Sequence, residues 1–201
     1  MNKIATILSL VFSPLLVPTY GVALALWVSA LSSVPVSVRF GVVAVTFIIT
    51  GVVPLLAIAG MWRLGLVKDP GVNERTERTV PYIITAASYL ACTVYLFKAN
   101  APLWLVGFLA GAFVAALISL AVNTRWKISA HMAAMGGLVA IAFRMAVSDY
   151  AIVDMLWVIV AVVLAAGLVG TARIGLHRHT IWQVVAGAAN GFVCVMLLSM
   201  F

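Results

Sequence analysis

Apolar residues dominate this chain in seven runs, separated by short polar clusters: roughly 4–31, 38–62, 80–97, 102–122, 129–147, 152–170 and 180–201. The hydrocarbon core of a bilayer takes about 20 apolar residues of helix to cross. In lipid, a helix satisfies its own backbone polar groups. Each run is therefore predicted to be a membrane-spanning helix. The first is too long for one straight span, and Pro14 and Pro18 in SPLLVPTYG predict a kink, or a short surface helix leading into a span. Lys3 followed by an apolar run looks like a signal peptide, but no convincing cleavage site follows, so a retained first span is expected. Gly107 and Gly111, and Gly187 and Gly191, are spaced to let helices approach closely. The expected fold is all-α: a single domain over 1–201, a polytopic membrane helix bundle of about six to seven transmembrane helices, with an active site at one membrane face.

Composition agrees with this pattern. The chain of 201 residues is 65% hydrophobic and 8% charged, with mean hydropathy +1.21, whereas soluble domains carry roughly 25% charged residues. The net charge of +7 does not point to nucleic acid. The cations lie in short loops between apolar runs, where they would meet lipid headgroups or an anionic lipid. Cys92 and Cys194 fall inside predicted spans without metal-ligand spacing and read as packing residues.

Alternating crossings bring the loops 63–79, 123–128 and 171–179 to one face. That face receives Lys3, Arg63, Lys68, Arg75, Arg78, Arg125, Lys127, Arg173 and Arg178, nine of the twelve cations. His131, His177 and His179, the three histidines of the chain, lie at run edges on the same face. The positive-inside rule would make this face cytoplasmic. If Lys68, Arg75, Arg78, Lys127 and Arg173 serve chemistry, the count becomes four against three, and the orientation stays open.

Three polar segments carry the candidate chemistry. In KDPGVNERTERTVPY, residues 68–82, cations and acids precede Pro81, a good first-turn proline. In NTRWKISAHMAAMGG, residues 123–137, Ser129 and His131 open a helix; Ser129 is a cap, a donor to an anion, or both. In ARIGLHRHTIWQVVAGAANG, residues 172–191, His179 and Gln183 share a helix face. Gln183 would hold one imidazole nitrogen of His179 and free the other, with His177 as the competitor for that role. Of the remaining polar residues, Arg144 is expected to pair with Asp149 or Asp154 at the opposite face, and Asn190 to bond a neighbouring helix. Tyr20, Tyr82, Trp104 and Trp182 fit interfacial belts.

In this order, the three segments resemble the motifs of the type 2 phosphatidic acid phosphatase superfamily of membrane lipid phosphatases. The family's first motif is Lys, six residues, then Arg-Pro. Lys68 and Arg75 have that spacing, followed by Thr76, and Arg78 is the alternative arginine. Its second motif, Pro-Ser-Gly-His, reads Ile128-Ser129-Ala130-His131 here. The third, Ser-Arg, five residues, His, three residues, Asp, reads Ala172-Arg173, His179 and Gln183. The resemblance covers residues 68 to about 191 and describes a divergent branch.

The resemblance implies a hydrolase of lipid phosphates or pyrophosphates. His179 would attack phosphorus and His131 would protonate the leaving oxygen. Lys68, Arg75 or Arg78, Lys127, Ser129 and Arg173 would hold phosphate oxygens. Phosphoryl transfer needs positioning and charge neutralisation, which such a set supplies. No metal or cofactor is expected. The expected partners are the bilayer and an anionic lipid phosphate, and the expected location is a prokaryotic inner (cytoplasmic) membrane. Gln183 carries no charge, so Asp69, Glu74 or Glu77 would have to supply one to His179, or turnover would be reduced. The alternative is a family member that binds lipid phosphates, or serves as an assembly subunit, without turnover.

Overall fold

The computed structural model describes residues 2–69 and 71–200, with the backbone alone at Asn2. Met1, Pro70 and Phe201, which fall within expected segments, lie outside the described residues. The helices are α1 (Asn2–Val11), α2 (Val17–Val28), α3 (Val36–Phe47), α4 (Val53–Arg63), α5 (Thr79–Lys98), α6 (Leu103–Asn123), α7 (Ala130–Val147), α8 (Met155–Gly175) and α9 (Ile181–Leu198). There is no β-strand among the described residues, only a single bridge between Ser29 and Ala151. Among the described residues, six helical stretches are long and apolar enough to cross a membrane: Val36–Arg63, Arg75–Lys98, Leu103–Asn123, Ala130–Val147, Met155–Gly175 and Ile181–Leu198. The chain is an all-α integral membrane bundle.

The first apolar run is not a kinked span but two separate helices. α1 stops at Val11, and α2 begins at Val17 with Pro18 in its first turn. At 12 residues, α2 is roughly 18 Å long, too short to cross alone. Two tyrosines satisfy carbonyls that the break releases: the Tyr20 hydroxyl donates to Val11 at 2.8 Å and the Tyr89 hydroxyl to Pro14 at 2.5 Å. The second run holds a different interruption. Pro54 has no N–H and its ring crowds the carbonyl four residues back; the helix responds with a π-helical turn, Ile48–Val52. The Thr50 hydroxyl back-bonds to the Thr46 carbonyl at 2.9 Å there.

α9 packs against α7 and α6, α7 in turn against α8 and α6 against α5, and the buried side chains include Phe108, Leu109, Met135, Ile141 and Val195. The expected glycine pairs lie at these contacts. A methyl group at Gly191 would collide with the Ala133 carbonyl, and one at Gly187 would sit 2.5 Å from the Ser129 carbonyl oxygen. This close approach seats the first turn of α7, with Ser129 and His131, directly on α9. As expected, Asn190 bonds a neighbouring helix: its amide donates to the Ala115 carbonyl at 2.9 Å and the Ser119 hydroxyl at 3.0 Å on α6.

At the opposite end of the bundle, Arg144 departs from expectation. Its guanidinium donates to the Ser199 and Met200 carbonyls, at 2.8 and 3.0 Å, and lies over the Tyr150 ring. It thus caps the end of α9, where carbonyls lack helical partners. Asp154 instead caps α8, accepting the Leu156 amide at 2.9 Å. The aromatic assignments also divide. Trp182 is exposed on the outside, but Trp104 is buried against Tyr150, and Tyr82 is buried in the interior.

Candidate active site at one end of the bundle

Four hydrogen bonds between distant segments draw the polar segments together. Arg75 donates to the Asn123 and Thr124 carbonyls at 2.7 and 2.6 Å. Arg78 reaches the Ile128 carbonyl at 3.3 Å. The Ser129 amide donates to the Gln183 carbonyl at 3.2 Å. Segments far apart in the chain therefore meet at one end of the helices, around the mouth of a cavity of about 390 Å³. Its polar end is lined by Asn73, Arg78, His131, Arg173, Arg178 and His179. Its deeper walls are apolar, with Phe108, Ala112, Ala116, Gly137, Gly191 and Val195. Val195 is fourteen residues into α9, roughly 20 Å below the helix start.

His179 precedes α9 on a tight return from α8. The amides of Arg178 and His179 both donate to the Arg173 carbonyl, at 3.1 and 3.3 Å, and His177 takes a left-handed conformation, φ 53°. The turn sets His179 beside Arg173 and leaves His177 exposed, away from the cavity wall. This separates the two competitors. The Nδ1 of His179 lies 3.0 Å from the Oε1 of Gln183, which also accepts the Thr180 amide at 3.2 Å. Thr180 and Gln183 form a capping box at the start of α9. An amide oxygen only accepts, so His179 carries its proton on Nδ1, and Nε2 keeps the lone pair. Burial, then Arg78, and to a lesser degree Arg173 and Lys127, hold the His179 pKa down to about 3, against the opposing bond from Gln183. The imidazole is neutral at pH 7.

His131 stands in the first turn of α7, with Nε2 3.0 Å from the Ser9 carbonyl of α1. A carbonyl only accepts, so the Nε2 proton of His131 is held by α1.

Arg78 and Arg173 are each 7% exposed, and both line the cavity. Arg78 donates from Nε to Val72 at 3.0 Å, from Nη1 to Ile128 at 3.3 Å and from Nη2 to Asn73 at 3.4 Å. Those three bonds leave two of its five N–H groups for a ligand. Arg173 has a buried Nε with no partner.

The other expected phosphate ligands are placed differently. Arg75 closes the end of α6 and is not on the cavity wall, so Arg78 is the arginine of the first polar segment that reaches the site. The exposed side chain of Lys68 does not line the cavity, and its backbone amide donates to Glu77 at 3.0 Å. Ser129 is fully buried and uses its hydroxyl to cap α7, accepting the Met132 amide at 3.4 Å. Lys127 lies outside the wall but within the electrostatic reach of Arg78, Arg173 and Arg178; burial first, then these cations, lower its pKa, while Glu74 opposes them. Two acids proposed to serve His179 are engaged elsewhere: Asp69 accepts from Gly71 and Asn73, and Glu77 from Lys68.

Some wall residues were not singled out by motif. Arg178 joins the rim. Ser9 and Tyr82, each 8% exposed, also line the cavity. Tyr82 follows Arg78 by one helical turn, a spacing visible in the sequence, whereas nothing in the sequence placed Ser9 against His131. Among the described residues, no three side chains of His, Cys, Asp and Glu converge as metal ligands would. Comparison with models of known protein families, with curated proteins and with solved structures returns no match for this chain.

Proposed function

We propose that this protein is a membrane phosphatase that cleaves the phosphate or pyrophosphate group of a lipid by way of a phosphohistidine on His179. The observation that carries this reading is the convergence of His179, with Nε2 free, on Arg78, Arg173 and His131 at the polar end of an otherwise apolar cavity. A cationic end fits a phosphate, and apolar walls within the bundle fit a chain.

In the first step His179 Nε2 attacks phosphorus, forming the N–P bond as the bond to the lipid oxygen breaks. His131, as imidazolium in the company of the phosphate's negative charge, gives that oxygen a proton. Transfer from Nε2 requires α1 to give way, since the Ser9 carbonyl holds that nitrogen. Arg78 and Arg173 neutralise the charge on the phosphoryl oxygens, the main requirement of such a transition state. Water then attacks phosphorus and gives a proton to the now neutral His131, the N–P bond breaks with its electron pair returning to His179 Nε2, and phosphate leaves. On this reading the protein works in a prokaryotic inner membrane.

The test is phosphate release by purified protein from diacylglycerol phosphate, phosphatidylglycerol phosphate and a polyprenyl pyrophosphate, with His179→Ala as control. Release that survives in His179→Ala refutes the assignment. A second reading, a lipid-phosphate binder without turnover, is favoured by one observation: the partner of His179 is the uncharged Gln183. Tight binding without release from any of these lipids would select it.

A further inference from the structure

Two buried hydroxyls of cavity-lining residues have no hydrogen-bond partner. Tyr82 lies on α5 one turn beyond Arg78, about 6 Å further into the bundle. It is 8% exposed, and its hydroxyl lies beside the Arg78 guanidinium without a well-formed hydrogen bond. Ser9 of α1 is equally buried, its Oγ has no partner, and its own carbonyl touches His131. Buried polar groups are nearly always hydrogen-bonded, and an orphan is costly. Two other wall hydroxyls are engaged: Tyr89 donates to Pro14, and Ser119 accepts from Asn190. Both orphans belong to residues next to the polar end: Tyr82 is one turn beyond Arg78, and Ser9 is on the segment that touches His131.

We propose that Tyr82 and Ser9 determine specificity by hydrogen-bonding oxygen atoms in the linker between the phosphate and the apolar chain of the ligand. This rests on the reading that Arg78 and Arg173 hold the phosphate. With phosphate there, the next few atoms of the ligand pass Tyr82 and Ser9 before reaching the apolar wall. A glycerol diester offers ester oxygens at that level. A straight-chain alkyl phosphate or polyprenyl phosphate offers only CH₂ or CH groups and would leave both hydroxyls unpaired. The ligand class selected is a phosphate ester with an oxygen-bearing linker.

The experiment compares two probes of matched chain length, a diacylglycerol phosphate and a straight-chain alkyl phosphate. Binding is measured to full-length protein in nanodiscs, with turnover recorded separately. Wild type should bind the glycerolipid more tightly. Tyr82→Phe and Ser9→Ala, which remove one oxygen each, should weaken glycerolipid binding by about three- to tenfold, the worth of one neutral hydrogen bond. Alkyl phosphate binding should not change. Equal loss on both probes, or no loss on either, overturns the proposal, the latter because water would then satisfy the hydroxyls. Selective binding without phosphate release would refute the phosphatase reading and leave the linker contact standing.

Discussion

Replacing Gln183 by Glu adds one negative charge to the side chain that holds His179 and changes little else. The carboxylate keeps the reach of the amide, so the bonds to the Thr180 amide and to His179 Nδ1, now 3.2 and 3.0 Å, are retained. Glu is as good as Gln at this place in a capping box, so α9 should not loosen. On the proposed mechanism, what changes is the partner of His179 as the N–P bond forms and the imidazole becomes positive. A hydrogen bond to a charged group contributes about 1.5–3 kcal/mol, against about 0.5–1.5 kcal/mol for a neutral one. The difference of about 1–1.5 kcal/mol corresponds to roughly tenfold in rate. Lys127, Arg78 and Arg173 provide a positive field that offsets the cost of burying the new charge.

The assay is steady-state phosphate release in detergent or nanodiscs, with wild type, Gln183→Glu and Gln183→Ala in parallel. Gln183→Glu should raise kcat about tenfold, and KM should rise as well, because the carboxylate competes with phosphate for the arginines. Gln183→Ala should lower kcat and cost about 1 kcal/mol of stability through the lost cap. A kcat that falls in Gln183→Glu, or is preserved in Gln183→Ala, would refute the claim that Gln183 orients the attacking imidazole.

The two arginines should separate in a paired measurement of kinetics and thermal stability. Arg173→Gln should lower kcat/KM by about 10- to 100-fold, the worth of a charged hydrogen bond, without loss of melting temperature. Arg78→Gln should lower both, because the Val72, Asn73 and Ile128 carbonyls lose their donor; equal destabilisation by the two would contradict this. His179 supplies a pH test. Its folded pKa of about 3 lies below the ordinary histidine value of 6.5, so the unfolded chain binds the extra proton between those values. Its contribution to stability should be complete above pH 6.5 and decline by about 1.4 kcal/mol per unit as pH falls toward 3. A His179→Gln variant should have a flatter acid profile in thermal melts, and an unchanged slope would show that this imidazole is not buried neutral.

Much of this architecture was legible in the apolar runs, because length and composition alone determine which helices can cross lipid. The limit came where sequence permits two answers of similar cost. Pro14 and Pro18 announce an interruption, but whether the first run kinks or breaks depends on whether side chains satisfy the freed carbonyls, and Tyr20 of α2 and Tyr89 of α5 do so. Arg144 had two acids nearby in sequence, yet the end of α9 offered it carbonyls that an apolar helix could not otherwise satisfy. In the first polar segment, spacing left Arg75 and Arg78 equivalent. The α6 terminus takes Arg75 and turns Arg78 inward.

These cases share a physical rule that separates the site from its surroundings. A bundle in lipid has little water to satisfy helix ends, so polar side chains near them are claimed first by the backbone. Arg75, Ser129, Thr180 and Arg144 are used in this way, and each would look like a candidate ligand if charge or hydroxyl content were the criterion. The better criterion is surplus hydrogen-bonding capacity. Arg173 keeps an unpartnered Nε, Arg78 two free N–H groups, His179 a free Nε2, and Tyr82 and Ser9 unpartnered hydroxyls. All five line one cavity. On the proposed function, the donors and the His179 nitrogen left unsatisfied at the end of an apolar cavity match a ligand that supplies what they lack: an anion with several acceptor oxygens, joined to an apolar chain.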